Sequence, residues 1–363
     1  MTYQSLTLHV FSGTGNSLRA AHWAAERATA SGLPACVRPI EEGPPHASPT
    51  GPEQLIGLLF PTHGFTAPWV MIRHALRLPR GRGAQAFVCA TRGRVKLGPL
   101  FVPGMEGTAG YLLALVLWAK GYRVRGVTGL DMPSNWMSLH PAQAPESVAA
   151  IIERAKPVAD RFFSTIIGGG CSFRGFACLL AGLALAPLSA AYLLAGRFFL
   201  AKLFFANRRC NGCGLCAQRC PVGAVRMWGG RPYWSFACES CMRCMGFCPS
   251  EAVEVGQAWG VALCLLGTGS LPTWLFGRLA PRLPLLEAVD SAPLRAMFDY
   301  AFMLLVFFVG YLGFWALARI PAFNALFTWA TLTRVYRRYR EPETKLSSLR
   351  GRATKRSPAG HSE

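Results

Sequence analysis

The sequence predicts a doubly wound parallel α/β sheet, followed by a small α+β cysteine-rich module and C-terminal transmembrane helices. Three observations carry this prediction. Short apolar strands alternate with helix-length stretches from Leu6 to about Phe163, the pattern of a parallel sheet covered on both faces. Eight of the thirteen cysteines lie between Cys210 and Cys248. Uncharged stretches of about 20 residues, the length that spans a bilayer, flank that cluster.

The five strands expected are Leu6–Phe11, Ala35–Ile40, Gln54–Phe60, Gln85–Thr91 and Tyr122–Leu130, with helices over Asn16–Ser31, Ala67–Leu78, Glu106–Lys120 and Pro145–Ile167. A sheet wound this way holds its ligand at the carboxyl ends of the strands. There the first strand runs into Ser12-Gly13-Thr14-Gly15-Asn16-Ser17, a loop of small residues opening a helix, which suits a phosphate held by backbone N–H groups, hydroxyls and the helix dipole. A dinucleotide fingerprint fails, because Leu18 stands where its third glycine is needed. An ordinary capped strand-to-helix turn is the plain alternative.

The loop resembles the phosphate loop of flavodoxins, S-x-T-G-N-T, with Ser17 at the last place, and five strands fit the flavodoxin-like sheet, whose order the resemblance implies to be 2-1-3-4-5. The resemblance implies FMN. It also implies isoalloxazine contacts from the loops after the third and fourth strands, namely Pro61, Thr62, His63, Gly64 and Phe65, and Thr91, Arg92 and Gly93. Phe65 or His63 would lie against the flavin, and the second loop lacks a sandwiching aromatic. Arg92, Arg94 and Lys96 replace the acidic surroundings usual in flavodoxins, and are either a positive field on the flavin or solvated loop residues. Asn135 and Trp136 either close the pocket or form a helix-entry turn with a packing tryptophan.

The cysteines form two copies of one pattern, Cys210-x2-Cys213-x2-Cys216-x3-Cys220-Pro221 and Cys238-x2-Cys241-x2-Cys244-x3-Cys248-Pro249. Three thiolates at this spacing curl around one face of an iron–sulfur cube, while the fourth, stiffened by proline, points to another cube. One [4Fe–4S] cluster is therefore expected on Cys210, Cys213, Cys216 and Cys248, and a second on Cys238, Cys241, Cys244 and Cys220. Gly212, Gly214 and Gly246 are expected to let backbone N–H groups approach the sulfurs. Structural zinc sites and a disulfide framework fit the spacing poorly. Between the runs, Ala224–Trp234 reads as a hairpin turning at Gly229-Gly230. About Arg208 to Val255 resembles the bacterial two-cluster ferredoxin, and the whole of 1–255 resembles the flavodoxin–ferredoxin fusions sometimes called ferrodoxins.

Hydrophobic residues make up 52% and charged residues 15% of the 363, with a formal net charge of +20, a balance that asks for membrane contact and an anionic partner. Gly256–Gly277 and Tyr300–Ala318 are expected to form a transmembrane hairpin. Gly175–Gly196 is expected to lie in the interface or to pack as a hydrophobic docking helix, since one crossing there would part the flavin domain from the clusters. Arg174, Arg197, Lys202, Arg208 and Arg209 would then face phospholipid headgroups. The divisions expected are a flavin domain over 1–165, a connector over 166–207, a cluster module over 208–255, the hairpin over 256–320 and a basic cytoplasmic tail over 321–363.

The tail arginines favour anionic lipid over nucleic acid, and a cytoplasm-facing arrangement at the cytoplasmic membrane. Thiol-rich chemistry and the absence of a basic-then-apolar leader agree with a reducing compartment. The function expected is electron transfer among the clusters, FMN and a redox protein at the membrane. The alternative is a flavin-dependent reductase of a lipophilic substrate such as a quinone or lipid precursor, with His63 or His140 as proton donor. Cys36, Cys89, Cys171, Cys178 and Cys264 carry no expected role.

Overall fold

The computed structural model describes residues 3–44, 51–268, 270–282 and 292–351. Its sheet is built from β1 (Ser5–Val10), β2 (Ala35–Pro39), β3 (Gln54–Pro61), β4 (Gln85–Leu97), β5 (Leu100–Val102), β6 (Arg123–Pro133) and β7 (Ser172–Phe173), in the order β2-β1-β3-β4-β6-β7. All neighbours on that path are parallel, and β5 turns back antiparallel on β4. Helices α1 (Asn16–Ala30), α2 (Trp69–Arg77), α3 (Ala109–Ala119) and α4 (Pro145–Ile167) accompany the sheet, and Pro145 opens α4 where its missing N–H costs nothing.

Two features of the sheet were not expected from sequence. β5 and β7 are too short to show a period, and β4 and β6 run past their apolar cores. They continue because Arg92 sits opposite Asp131 in the register and Arg94 opposite Pro133, so that Arg92 and Arg94 both pair with the Asp131 carboxylate at 2.9 and 2.8 Å. Charges that read as the end of a strand are satisfied across it.

After α4 the chain forms α5 (Phe176–Ala184), α6 (Ala186–Ala191), a π turn over Tyr192–Gly196 and α7 (Arg197–Lys202). The axis bends by 72° between α5 and the helical run that follows, where Pro187 withholds an N–H from the ladder. One side of this connector docks on the sheet domain: Ser189 donates to the Gly64 carbonyl at 2.9 Å and the Tyr192 ring covers Gly64. Phe176, Leu180, Leu183, Leu188 and Leu194 are exposed on it. Of the five basic residues expected to face headgroups here, Arg174, Arg208 and Arg209 are exposed and the other two are turned to the protein. Lys202 is buried, Arg197 lies 3.7 Å from the Glu239 carboxylate, and Arg209 pairs with Glu254 at 3.2 Å.

The cysteine module follows as β8 (Phe204–Ala206), α8 (Leu215–Gln218), the hairpin β9 (Val225–Trp228) and β10 (Arg231–Trp234), α9 (Arg243–Gly246) and β11 (Val253–Val255). β8 and β11 pair antiparallel and bring the entry and exit of the module together. α10 (Gln257–Thr268) and α11 (Ser270–Leu279) lead away, and α12 (Ala292–Leu317) returns antiparallel to α10, with Leu263 against Gly310 and Met303 against Gly267. Gln257–Arg282 and Ala292–Leu317 are long and apolar enough to cross a membrane. About three turns at the end of α12 lie on the cysteine module instead, Phe308 against Phe236, Tyr311 and Trp315 against Tyr233, and Phe314 against Phe205.

The segment expected as a free basic tail is α13 (Pro321–Ala330) and a strap that runs back over both domains. Arg338 bonds the buried Glu254 at 3.0 Å, Arg350 bonds Glu42 at 2.6 Å, and the Tyr339 hydroxyl donates to Asn16 Oδ1 at 2.5 Å. Arg338 and Arg350 thus pair with carboxylates of the chain itself, whereas Arg352, Lys355 and Arg356 lie outside the described residues. One continuous core then joins Phe11 and Phe60 of the sheet domain to Met137, Tyr339, Cys220 and Cys238.

Candidate functional site

The two cysteine runs fold as a pseudo-twofold pair whose backbone repeats more faithfully than its side chains. Gly212, Gly214 and Gly223 have φ of 73°, 71° and 64°, and the residues in the same places of the second run, Ser240, Met242 and Glu251, have φ of 49°, 61° and 47°. Left-handed backbone costs a non-glycine residue about 1–2 kcal/mol, so the second half carries strain for the sake of the geometry. The N–H of Ala224 points to Cys220 Sγ at 3.2 Å and that of Ala252 to Cys248 Sγ at 3.3 Å, again in matching places. The N–H of Ser240 approaches Cys238 Sγ at 3.4 Å. Gly246 has a different task from the one expected: it sits in α9, and a Cβ there would strike the Tyr339 carbonyl of the strap.

Replacing Ser240 by glycine should relieve that strain and remove a buried hydroxyl that has no hydrogen-bond partner. A gain of about 1–2 kcal/mol is expected from the two effects. It is read as a higher unfolding temperature at unchanged iron content, and a lower one contradicts the reading.

The thiols fall into two neighbourhoods. Cys216 feels Cys210, Cys248 and Cys213, and burial with these neighbours pushes it up to about 12. Cys238 feels Cys241 and Cys220, and Cys241 in turn feels Cys220 and is pushed up to about 11, chiefly by burial. Cys244 is raised well above the ordinary thiol range by burial, by Cys238 and Cys241 and, across the two groups, by Cys216. Such groups cannot ionise together without a compensating cation, which is the condition a cationic metal centre meets. The buried indole N–H of Trp234 has no conventional partner and favours the thiolate of Cys244. Among the described residues no three His, Cys, Asp or Glu side chains converge closely enough to hold a single ion. Thiols with amide and indole donors around them suit an iron–sulfur centre, and the residues present fit [4Fe–4S].

The phosphate-type loop lies beside this module. A Cβ at Gly13 would overlap the Cys241 carbonyl, Arg243 donates to the Ser12 carbonyl at 2.5 Å, and the same guanidinium pairs with the buried Glu41 at 2.9 Å. Ser12, Gly13, Thr14, Asn16 and Ser17 line one cavity with Pro61, Thr62, Thr91, Arg92 and Gly93, joined by Asn135. Gly15, His63, Gly64 and Phe65 are not part of it.

The volume of that cavity is about 30 Å³. This is one water's share of liquid volume, against about 300–1,000 Å³ for small-molecule pockets. Several of its polar groups are paired with one another, Asn135 Nδ2 to Thr14 Oγ1 at 2.7 Å, Ser17 Oγ with Thr91 Oγ1 at 2.8 Å, and Asn16 Nδ2 to the Pro133 carbonyl at 2.8 Å, whereas the buried Thr62 hydroxyl has no partner among the described residues. With the loops so arranged an isoalloxazine does not fit.

Part of the expected flavin contact surface is covered by the chain itself. Tyr192 and Ser189 close on Gly64, and Arg92 is held by Asp131 and by Glu106 at 2.5 Å, so it is not a free positive field. Burial pushes His63 down to about 4, which leaves a neutral imidazole rather than a ready acid. His140 is tied to Ser134 and Pro141 at 2.9 Å each. Trp136 is exposed, not a packing residue.

Sequence reasoning missed Lys202 as a member of the site. It is 2% exposed at the end of α7, donates to the Trp234 carbonyl at 2.6 Å and lies 3.9 Å from the Phe236 ring centre and 4.7 Å from that of Tyr311. Burial pushes it down to about 8, opposed by the nearby Cys238. Nothing in the sequence placed it there, because only the packing of α7 against α12 and β10 does so.

Fold and site together define a protein with a 4Fe–4S binding module attached to a parallel α/β sheet domain. Residues 206–226 match the family described as 4Fe-4S binding domain. No curated protein matches the chain. Among solved structures it is similar to a rubredoxin oxygen:oxidoreductase from the anaerobe Desulfovibrio gigas, at 11% identity and a TM-score of 0.28, over 45% of this chain and 36% of that one. It is also similar to an oxidised flavodoxin 1 from Bacillus cereus, at 17% identity and a TM-score of 0.26, over 43% of this chain and 95% of that one. Likenesses this distant carry no argument about activity.

Proposed function

We propose that the chain is a membrane-held electron-transfer protein with two [4Fe–4S] clusters, one on Cys210, Cys213, Cys216 and Cys248 and the other on Cys220, Cys238, Cys241 and Cys244. The observation that carries this reading is the repetition of backbone conformation and sulfur-directed N–H groups between the two runs. Each cluster, when bound, gives or takes one electron. The chain's own residues set the terms: amide N–H groups and the Trp234 indole favour the more reduced state, and burial excludes water.

Cys213 is exposed while Cys220 and Cys238 are buried, so the first group of thiols faces a soluble redox protein and the second faces inward. The two apolar helices support anchorage with the redox domains on the cytoplasmic side, where thiols stay reduced.

FMN in the Ser12–Ser17 seat is a second reading, favoured by the residues of that loop. It requires Tyr192 and Asn135 to move from the places described, and no electron step is assigned to it. The covered loops also favour a carrier over a reductase of a lipophilic substrate, which needs an open pocket above a flavin.

The test is anaerobic purification from membranes with iron, sulfide and flavin measured per chain. About eight irons are expected from two cubes. Zinc in place of iron ends the redox reading, and one tightly held FMN per chain shows that the loops open. Recovery of the chain in the soluble fraction ends the anchor.

A further inference from the structure

We propose that Lys202 is a positioning residue that holds the reduction potential of the buried thiol group, Cys220, Cys238, Cys241 and Cys244, above that of the solvent-facing group, so that electrons collect on the side of α12. The proposal rests on the electron-transfer reading above and adds a direction to it.

Two of the cations near the buried group are answered by carboxylates. Arg243 pairs with Glu41 at 2.9 Å, and Arg197 faces Glu239 at 3.7 Å. Lys202 has no ion-pair partner among the described residues; its ammonium group bonds the Trp234 carbonyl at 2.6 Å and is enclosed by the faces of Phe236, Tyr311 and Tyr233. The residue after its acceptor, Ser235, takes the Cys238 N–H on its carbonyl at 3.1 Å, so the ammonium group bonds the backbone of the turn that leads into Cys238. An unpaired charge among aromatic rings is poorly screened by solvent, so it acts on its neighbour more strongly than the same charge at the surface.

Reduction adds negative charge to the cysteine-held site, and a fixed cation stabilises that added charge. The group containing Cys213 lies at the surface, where water screens such effects. The asymmetry follows from place alone: the two runs share backbone geometry, but Lys202 bonds the Trp234 carbonyl at the entry to the second. The same corner is where the membrane-type helix touches the module, since Tyr311 of α12 donates to the Trp234 carbonyl at 3.0 Å, the acceptor that Lys202 also uses. The step is a one-electron exchange in which the solvent-facing site is oxidised and the inner site reduced, with no bond made or broken and no proton moved. The first site is refilled by a one-electron donor protein.

The experiment is an EPR-monitored redox titration of the full-length protein in lipid nanodiscs, with a soluble dysprosium chelate to identify the solvent-facing centre by its faster relaxation. In the wild type the centre less affected by dysprosium should have the higher midpoint. Lys202→Met should lower that midpoint by at least tenfold in the reduction equilibrium, about 59 mV for one electron, and leave the other in place. Lys202→Arg, which keeps the charge, should keep both. Unchanged midpoints in Lys202→Met overturn the proposal, as does an equal shift in Lys202→Arg, which would make the hydrogen bond rather than the charge responsible.

If Lys202→Met loses iron, Lys202→Gln, which keeps a donor for the Trp234 carbonyl, takes its place with the same expected shift. Loss of iron from both neutral variants alone makes the lysine a structural cap and sinks the proposal. A wild type without iron–sulfur signals removes the electron-transfer reading first and this one with it. Two wild-type clusters with the reverse order of midpoints remove this one only.

Discussion

Replacing Cys244 by serine should release about half of the iron, leaving roughly four atoms per chain. Cys244 is raised further than an ordinary thiol by burial and by Cys238 and Cys241, and Trp234 offers it an indole N–H. A hydroxyl there is a poor ligand and leaves the other three thiols of its group crowded and uncompensated. Because metal binding in a small module is also folding energy, the loss should unfold the hairpin of β9 and β10 and loosen the core that joins Cys220 and Cys238 to Tyr339 and Phe60. Iron and sulfide analysis with EPR reads the first effect, and protease cleavage within 225–247 the second. Cys36→Ser, at an exposed cysteine outside both runs, is the control and should change neither. Full retention of iron in Cys244→Ser would place the second cluster on other ligands.

Glu254→Ala should cost about 3–5 kcal/mol, the scale for removing one partner of a buried ionic group. The Glu254 side chain is 0% exposed in the middle of β11 and accepts from Asn207 at 3.0 Å, Arg209 at 3.2 Å, Thr333 at 2.6 Å and Arg338 at 3.0 Å. It ties the entry strand of the cluster module to the strap. Without it the largely buried guanidinium of Arg338 is left uncompensated, so the strap should detach. A lower unfolding temperature and new tryptic cleavage between Arg334 and Arg340 are the expected readouts. Glu251→Ala, whose carboxylate lies 4.0 Å from Arg209 at the surface, should shift stability by under about 1 kcal/mol. Equal effects of the two substitutions would refute the role given to Glu254.

Much of the sheet domain was legible because its signals are local. The Pro145–Ile167 helix was read to its ends, and the hairpin turning at Gly229-Gly230 appears as β9 and β10, with φ of 57° and 72° at the two glycines. The spacing of the eight cysteines is likewise a local signal. Arg92, Arg94 and Lys202 were misplaced because charge in a sequence reads as exposure, and exposure depends on what arrives opposite. Asp131 and Glu106 come from a neighbouring strand and the segment before α3, and the rings around Lys202 come from β10, the loop after it and α12. The strap was read as a free tail for the same reason. Its partners Asn16, Glu42 and Glu254 lie about 80–320 residues away in the chain, beyond any periodicity.

By itself the order of amino acids determined that the chain alternates strands and helices, that its cysteines are spaced for iron–sulfur cubes, and that it carries two helices apolar enough for a bilayer. These follow from side-chain period, ligand spacing and transfer free energy, which need no knowledge of the rest of the molecule. Only the tertiary structure decided that Gly13 lies under the Cys241 carbonyl, that Tyr192 covers Gly64, and that Lys202 is buried against the Trp234 carbonyl with no ion-pair partner among the described residues. Each is a contact between elements far apart in the chain. Such contacts are set by how whole faces pack together, and that is what turned an open-looking phosphate loop into a closed seat against the cluster module.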